Sequence, residues 1–219
     1  MAGRGHFLSN PECLLALTVC SCVFLLAKES AISSPPQGVV EDPTGQIEEK
    51  IRTYRKDKDK FFKEDFRSPL REAVKREFTG LKYYSINLKY VVRGATERFP
   101  AGAKPLYVNL PTNKGRERKY VKQGRFKFKW EGKEYVLQVY RPLGGGDLFL
   151  PFKDMTSGTE TYPQGRYLYI EPIFEGKVLV DFNRAHNPFC EYNEKYTCPF
   201  APTENWLDIP IQAGEKRFQ

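Results

Sequence analysis

The chain has 219 residues, 40% of them hydrophobic, and a formal net charge of +8. That length suits one domain, at most two, and the apolar content can build a core, which excludes a disordered or fibrous body. Sixteen Phe and thirteen Tyr point to pleated, half-buried strands, where bulky aromatics fit best.

Arg4 and His6 precede an apolar run from Leu14 to Ala27, flanked by Glu12 and Lys28. A membrane-crossing helix needs about 20 apolar residues and a signal-peptide core about 7–15. The run matches the second. Residues 1–30 are therefore expected to be a signal peptide or signal anchor. The body is then secreted or extracytoplasmic, and membrane-associated through residues 14–27 where the segment is not cleaved. Arg4 and Lys28 cancel Glu12 and Glu29, so the +8 belongs to the body and favours anionic neighbours.

Residues 31–45, rich in Ser, Pro and Gly, read as a linker, and 46–219 as a single β-rich domain. Ile47, Ile51, Tyr54, Phe61 and Phe62 recur at helical spacing, with the alternating Lys and Asp of 56–60 as a solvated face. Ser68-Pro69 is a helix-start signal; Leu70, Ala73, Val74 and Phe78 would share one face, ending at Gly80. From Leu81 the period becomes two. Tyr84, Ile86, Leu88, Tyr90 and Val92 predict a half-buried strand, and Leu106–Leu110 a second. Phe126, Phe128 and Trp130, then Glu131-Gly132, then Tyr135, Leu137 and Val139 predict a hairpin. Leu148–Phe152, Tyr167–Ile170 and Lys177–Asp181 complete the set. The expected fold is mainly β, an antiparallel sandwich or partly open barrel with one or two N-terminal helices.

Lys114, Arg116, Arg118, Lys119, Lys122, Arg125, Lys127 and Lys129 crowd around a single acid, Glu117. Base-stacking sheets expose aromatics and cations on one face. Here Phe126, Phe128 and Trp130 alternate with Lys127 and Lys129, so no nucleic acid is expected, and Lys114–Lys129 reads as a solvated face or an anionic-surface contact.

Two polar clusters stand out. Asp154, Thr156, Ser157, Thr159, Glu160 and Thr161 surround Gly158 and lead to Arg166. They read either as a binding loop or as turns that satisfy their own backbone. In 178–183, Val178, Val180 and Phe182 face one way and Leu179, Asp181 and Asn183 the other, which predicts a central strand with Asp181 at its buried end. A carboxylate there needs partners, Arg166 or Arg184, or else serves as an acid or base. His186, Cys190 and Cys198 could be read as zinc ligands, but an exported Cys-x7-Cys pair favours a disulfide. No metal and no cofactor are expected.

The run from Asp181 to Asn193, then Tyr196-Thr-Cys-Pro199, Glu204-Asn205 and Ala213-Gly-Glu-Lys216, resembles the domain of unknown function 1684. So do Phe78-Thr-Gly-Leu81 with Tyr83-Tyr84, and Phe152 to Tyr162 with Gly165-Arg-Tyr167. The resemblance covers about residues 46–217. It implies a mostly bacterial or archaeal family, often exported, with no established activity. The family usually has tyrosine at His186, which implies an aromatic role there rather than a metal ligand. Its motif residues concentrate in the two polar clusters, which implies that those loops meet. The candidate pocket is thus Asp154, Thr156, Ser157, Glu160, Arg166, Asp181, Asn183, His186, Asn187, Asn193, Glu204 and Asn205.

Two functions compete. One is a non-catalytic, extracytoplasmic ligand-binding or envelope-associated module for an unknown small ligand. It would have a cavity lined by aromatic strands and the Thr156–Arg166 loop at its mouth. The alternative is a hydrolase-like enzyme with Asp154, Glu160 or Asp181 as acid and base and Arg166 on an anionic substrate.

Overall fold

The computed structural model of the chain describes residues 43–100, 104–170 and 176–218. The expected export segment, and with it any membrane association through residues 14–27, lies outside the described residues, as does most of the linker. Among the described residues no helix is long and apolar enough to cross a membrane.

Helix α1, Pro43–Glu64, starts inside the stretch read as linker. Proline suits this position because a first-turn N–H has no helical partner to lose. Ile51 and Phe62 form its buried stripe. Arg55 donates to the carbonyls of Tyr84 (2.9 Å) and Asn183 (3.3 Å), tying the helix to the β body. The second helix is shorter than predicted: α2 is Glu72–Glu77 and buries nothing. Ser68 does not cap it. The Ser68 hydroxyl donates to Phe62 O (2.7 Å) and accepts from Leu70 N (3.3 Å), so it closes the turn after α1 instead. Leu70 and Phe78 do bury, from outside the helix, against Phe62 and Tyr192.

Among the described residues seven antiparallel strands follow: β1 Val91–Arg98, β2 Leu106–Pro111, β3 Glu117–Trp130, β4 Lys133–Pro142, β5 Leu148–Phe152, β6 Arg166–Ile170 and β7 Gly176–Asp181. The sheet order is β6-β5-β4-β3-β1-β7, with β2 on β3. Residues 84–90 show the expected burial alternation without a ladder, because their backbone bonds go elsewhere. Tyr84 N donates to Gly214 O (2.9 Å), and Asn87 Oδ1 accepts from Lys89 N (2.9 Å) to cap a 3₁₀ turn. The β3–β4 hairpin forms as predicted. Trp130 pairs with Lys133 across Glu131 (φ 48°) and Gly132 (φ 84°), the two left-handed residues of a two-residue hairpin turn.

Strand β7 corrects an expectation. It ends the sheet rather than occupying its centre, and Leu179 is 49% exposed. Just beyond it, His186 and Tyr167 of β6 exchange backbone hydrogen bonds at 2.8 and 3.0 Å. That bridge joins the two ends of the sheet into a nearly closed barrel.

The barrel interior holds Phe126, Phe128, Trp130, Leu137, Val139, Leu150, Phe152, Val178 and Val180. Full burial of such side chains contributes about 1.5–3 kcal/mol each. A second cluster, Leu110, Tyr120, Tyr140, Phe149 and Tyr167, covers the opposite face of the sheet. The β3–β4 register shifts between Lys122 and Gly124. One extra residue reverses which positions face inward, so even-numbered residues of β3 point into the barrel after the bulge and out of it before. A side chain at Gly124 would meet Glu97 O at 2.1 Å. The bulge therefore needs glycine.

Candidate functional site

The cluster from Asp154 to Arg166 forms a buried pin. The Asp154 carboxylate accepts from Ile211 N (2.6 Å), Thr156 Oγ1 (2.9 Å) and Ser157 Oγ (3.1 Å). Arg166 sits 3.4 Å from it, and their side chains are 0% and 1% exposed. The guanidinium also donates to the carbonyls of Ile211 (2.7 Å), Glu215 (3.3 Å) and Ala213. Loop and arginine together hold the C-terminal tail on the barrel. Glu160 stands apart, 43% exposed and 4.0 Å from Lys216. The loop is therefore closed on itself and on the tail, rather than forming the mouth of a cavity.

The second cluster caps and bridges. Asp181 Oδ1 accepts from the Asn183 backbone and side chain, both at 2.9 Å. Asn183 exchanges two 3.0 Å bonds with the Asn87 backbone. Asn193 donates to Pro69 O (3.0 Å). Asn205 joins β4 to β5, accepting from Gln138 N (2.6 Å) and donating to Gln138 O (2.9 Å) and Pro151 O (2.7 Å). Glu204 pairs with Lys122 (2.7 Å) and accepts a hydrogen bond from the Tyr140 hydroxyl. Lys127 likewise pairs with Glu97 (2.6 Å), so part of the basic stretch is neutralised locally. The two expected loops do meet, where the Tyr162 hydroxyl lies 3.4 Å from Cys190 Sγ.

Sequence reasoning missed Glu215. It is 1% exposed, 2.5 Å from Lys58 Nζ, and accepts from Asn187 N (2.8 Å) and the Tyr192 hydroxyl. Asn187 Nδ2 donates to Lys216 O (2.8 Å). Lys58 was read within the solvated face, yet it falls on the stripe of Ile51 and Phe62. A lysine at that spacing was the available signal.

Cys190 and Cys198 are unbonded in this structure. They are neighbours: Cys190 N donates to Cys198 Sγ at 3.2 Å. The hydrogen bond between the two thiol groups is the main cause that lowers the Cys190 pKa and raises that of Cys198. Among the described residues no three His, Cys, Asp or Glu side chains converge as metal ligands. His186 turns to other rings instead. It stacks on Tyr169 (centroids 5.5 Å, 20° between planes) and meets Tyr167 edge-on (6.1 Å). Burial, then Lys58, pushes its pKa well below the usual histidine value, so the ring is neutral. Its Nδ1 is enclosed without a hydrogen-bond partner.

Beside this seam lies a cavity of about 400 Å³ on the outer face of the sheet. Tyr120, Phe149 and Tyr167 give the strand side, with Tyr120 stacked on Phe149 (5.3 Å) and Phe149 edge-on to Tyr167 (4.8 Å). Phe189 and Tyr196, 5.3 Å apart, come from the closing segment. Arg118 and Lys195 supply the charge, and no carboxylate lines the cavity. The β3 bulge is what turns Arg118 and Tyr120 to this face. A second cavity of about 420 Å³ shares Tyr169 and His186 and includes Asp147, Asp181 and Arg184. His186 and Asn187 are thus the sequence-predicted residues that line the first cavity. Its other residues were legible only as a hint, since Tyr167–Ile170 is apolar at both parities and such strands are covered on both faces.

The family model described as Protein of unknown function (DUF1684) matches residues 76–216. The chain belongs to this family. The DUF1684 region contains every residue of the aromatic cavity and the whole Asp154–Arg166 pin, and leaves α1 outside. A solution NMR structure of an uncharacterized protein from Haloarcula marismortui is 31% identical, with a TM-score of 0.63, covering 79% of this chain and 95% of that one. No curated protein matches the chain.

Proposed function

We propose that this DUF1684 protein is a non-catalytic, extracytoplasmic module that binds a small ligand in the aromatic cavity at the barrel seam. The observation that carries this reading is the cavity itself: walled on the strand side by stacked rings, with polar groups from Arg118, Asn187 and Lys195 at its edge and a volume in the range of ligand sites. The acidic residues that a hydrolase would use support it from the other side. Asp154 is sealed against Arg166, Glu160 stands on the surface, and Asp181 caps a turn. General acid–base work needs two such groups within reach of one substrate; Asp181 shares the second cavity with Asp147, not with Asp154 or Glu160.

Export rests on the apolar run Leu14–Ala27. In an oxidising compartment Cys190 and Cys198 would close a disulfide. Thiolate attack on an external disulfide passes two electrons to it, and both cysteine protons are released to the reduced product. The short loop would contribute about 2.5 kcal/mol.

Native mass spectrometry of the protein purified from its own host tests the reading. A small molecule should accompany the wild type and be lost from Tyr169→Ala, a half-exposed position whose replacement spares the core. A co-purifying molecule retained by Tyr169→Ala and Phe189→Ala alike would place binding elsewhere. Turnover of a hydrolysable substrate that stops on Asp181→Asn would favour the enzyme.

A further inference from the structure

We infer that the seam cavity selects a planar organic anion, its ring held among the aromatic walls and its carboxylate-like group between Arg118 and Lys195. This rests on the reading of the cavity as a ligand site. An aromatic box by itself attracts cations, because ring faces carry negative charge. This one is biased the other way. Arg118 reaches it from β3 beside the Tyr120 hydroxyl, and Lys195 from the closing segment, over the Tyr196 ring at 5.1 Å.

Among the described residues neither cation has a carboxylate within ion-pair distance, whereas neighbouring Lys122 is matched by Glu204 and Arg71 by Glu194. Two unneutralised cations at the edge of an acid-free, partly desolvated cavity set a positive potential inside it. The neutral His186 ring, stacked on Tyr169, adds a flat wall and no charge. Beyond that wall lie Asp147 and Asp181. The field therefore points an anionic group towards Arg118 and Lys195 and away from the stacked pair. A guanidinium also matches the two oxygens of a planar carboxylate geometrically.

Titration calorimetry on the full chain with 2-naphthoate, its neutral amide and 2-naphthylmethylammonium tests this. Naphthoate should bind about tenfold or more tighter than the amide, as charge-assisted hydrogen bonds imply, and the ammonium no better than the amide. The naphthoate preference should fall to within about twofold in Arg118→Gln/Lys195→Gln. Both positions are exposed, so the fold is spared. Tyr169→Ala should weaken naphthoate and amide by a common factor. Equal binding of anion and amide, or a preference that survives the double substitution, would overturn the anion selectivity and leave the cavity as a ligand site. Binding of none of the three probes would remove both.

Discussion

Replacing Asp154 with alanine tests whether the densest polar cluster serves stability or chemistry. The substitution leaves Arg166 fully buried with only carbonyl partners and deprives Ile211 N–H of its acceptor. Breaking one side of a buried ion pair costs about 3–5 kcal/mol, and an orphaned buried N–H about 1–3 kcal/mol. The two losses share atoms and do not add, so about 4 kcal/mol is expected. For a domain whose total stability is about 5–15 kcal/mol, that is a large fraction. With a urea slope of about 2 kcal/mol per molar, the midpoint should fall by about 2 M. Urea unfolding followed by the fluorescence of Trp130, itself buried in the barrel, measures it. Glu160→Ala is the control. Its exposed 4.0 Å contact with Lys216 predicts a change of about 0–1 kcal/mol. A midpoint shift below about 0.5 M for Asp154→Ala, or one equal to the control, would refute the structural assignment.

Three further outcomes are expected. The folded protein holds His186 neutral, while the unfolded chain takes up a proton near pH 6.5. The unfolded state then binds more protons as pH falls, so stability should drop below about pH 6.5 by up to about 1.4 kcal/mol per unit. His186→Tyr keeps an aromatic ring and should flatten that slope; identical wild-type and variant slopes between about pH 6.5 and 5 would contradict the assignment. Gly124→Ala places a Cβ 2.1 Å from Glu97 O and should cost about 1–3 kcal/mol in thermal or urea unfolding, whereas an unchanged midpoint would mean that the bulge is not tight. Protein recovered from outside the cytoplasm should take up a thiol-alkylating reagent at Cys190 and Cys198 only after reduction; ready alkylation without reductant would show that no disulfide forms there.

Much of the fold could be read from local pattern because it depends on local chemistry. The β3–β4 hairpin follows from alternating aromatics around Glu131-Gly132, and α1 from apolar spacing. The inward aromatics of β3 follow from strand parity. Failures occurred where a long-range partner took over a local group. Ser68 looks like a helix cap, but the carbonyl of Phe62 claims its hydroxyl. Residues 84–90 have the period of a strand, but Gly214 and Asn183 supply their hydrogen bonds.

The candidate site divides along the same line. Polar residue types in 154–166 and 181–205 marked where backbone groups would need satisfying, and most of those residues serve as separate pins and caps. The aromatic cavity depends on events with no local signature. The register slip between Lys122 and Gly124 turns Arg118 and Tyr120 outward. The Tyr167–His186 bridge sets β6 against a segment that follows β7.

The amino-acid sequence by itself determined the strand-rich class, the main helix, the hairpin and the family, since periodicity, turn residues and motif identity are properties of neighbouring positions. Only the tertiary structure decided which face each β3 residue presents, which carboxylates are spent on the C-terminal tail, and where the barrel closes. Those outcomes turn on one inserted residue and on hydrogen bonds between distant segments, whose energies depend on proximity in space rather than along the chain.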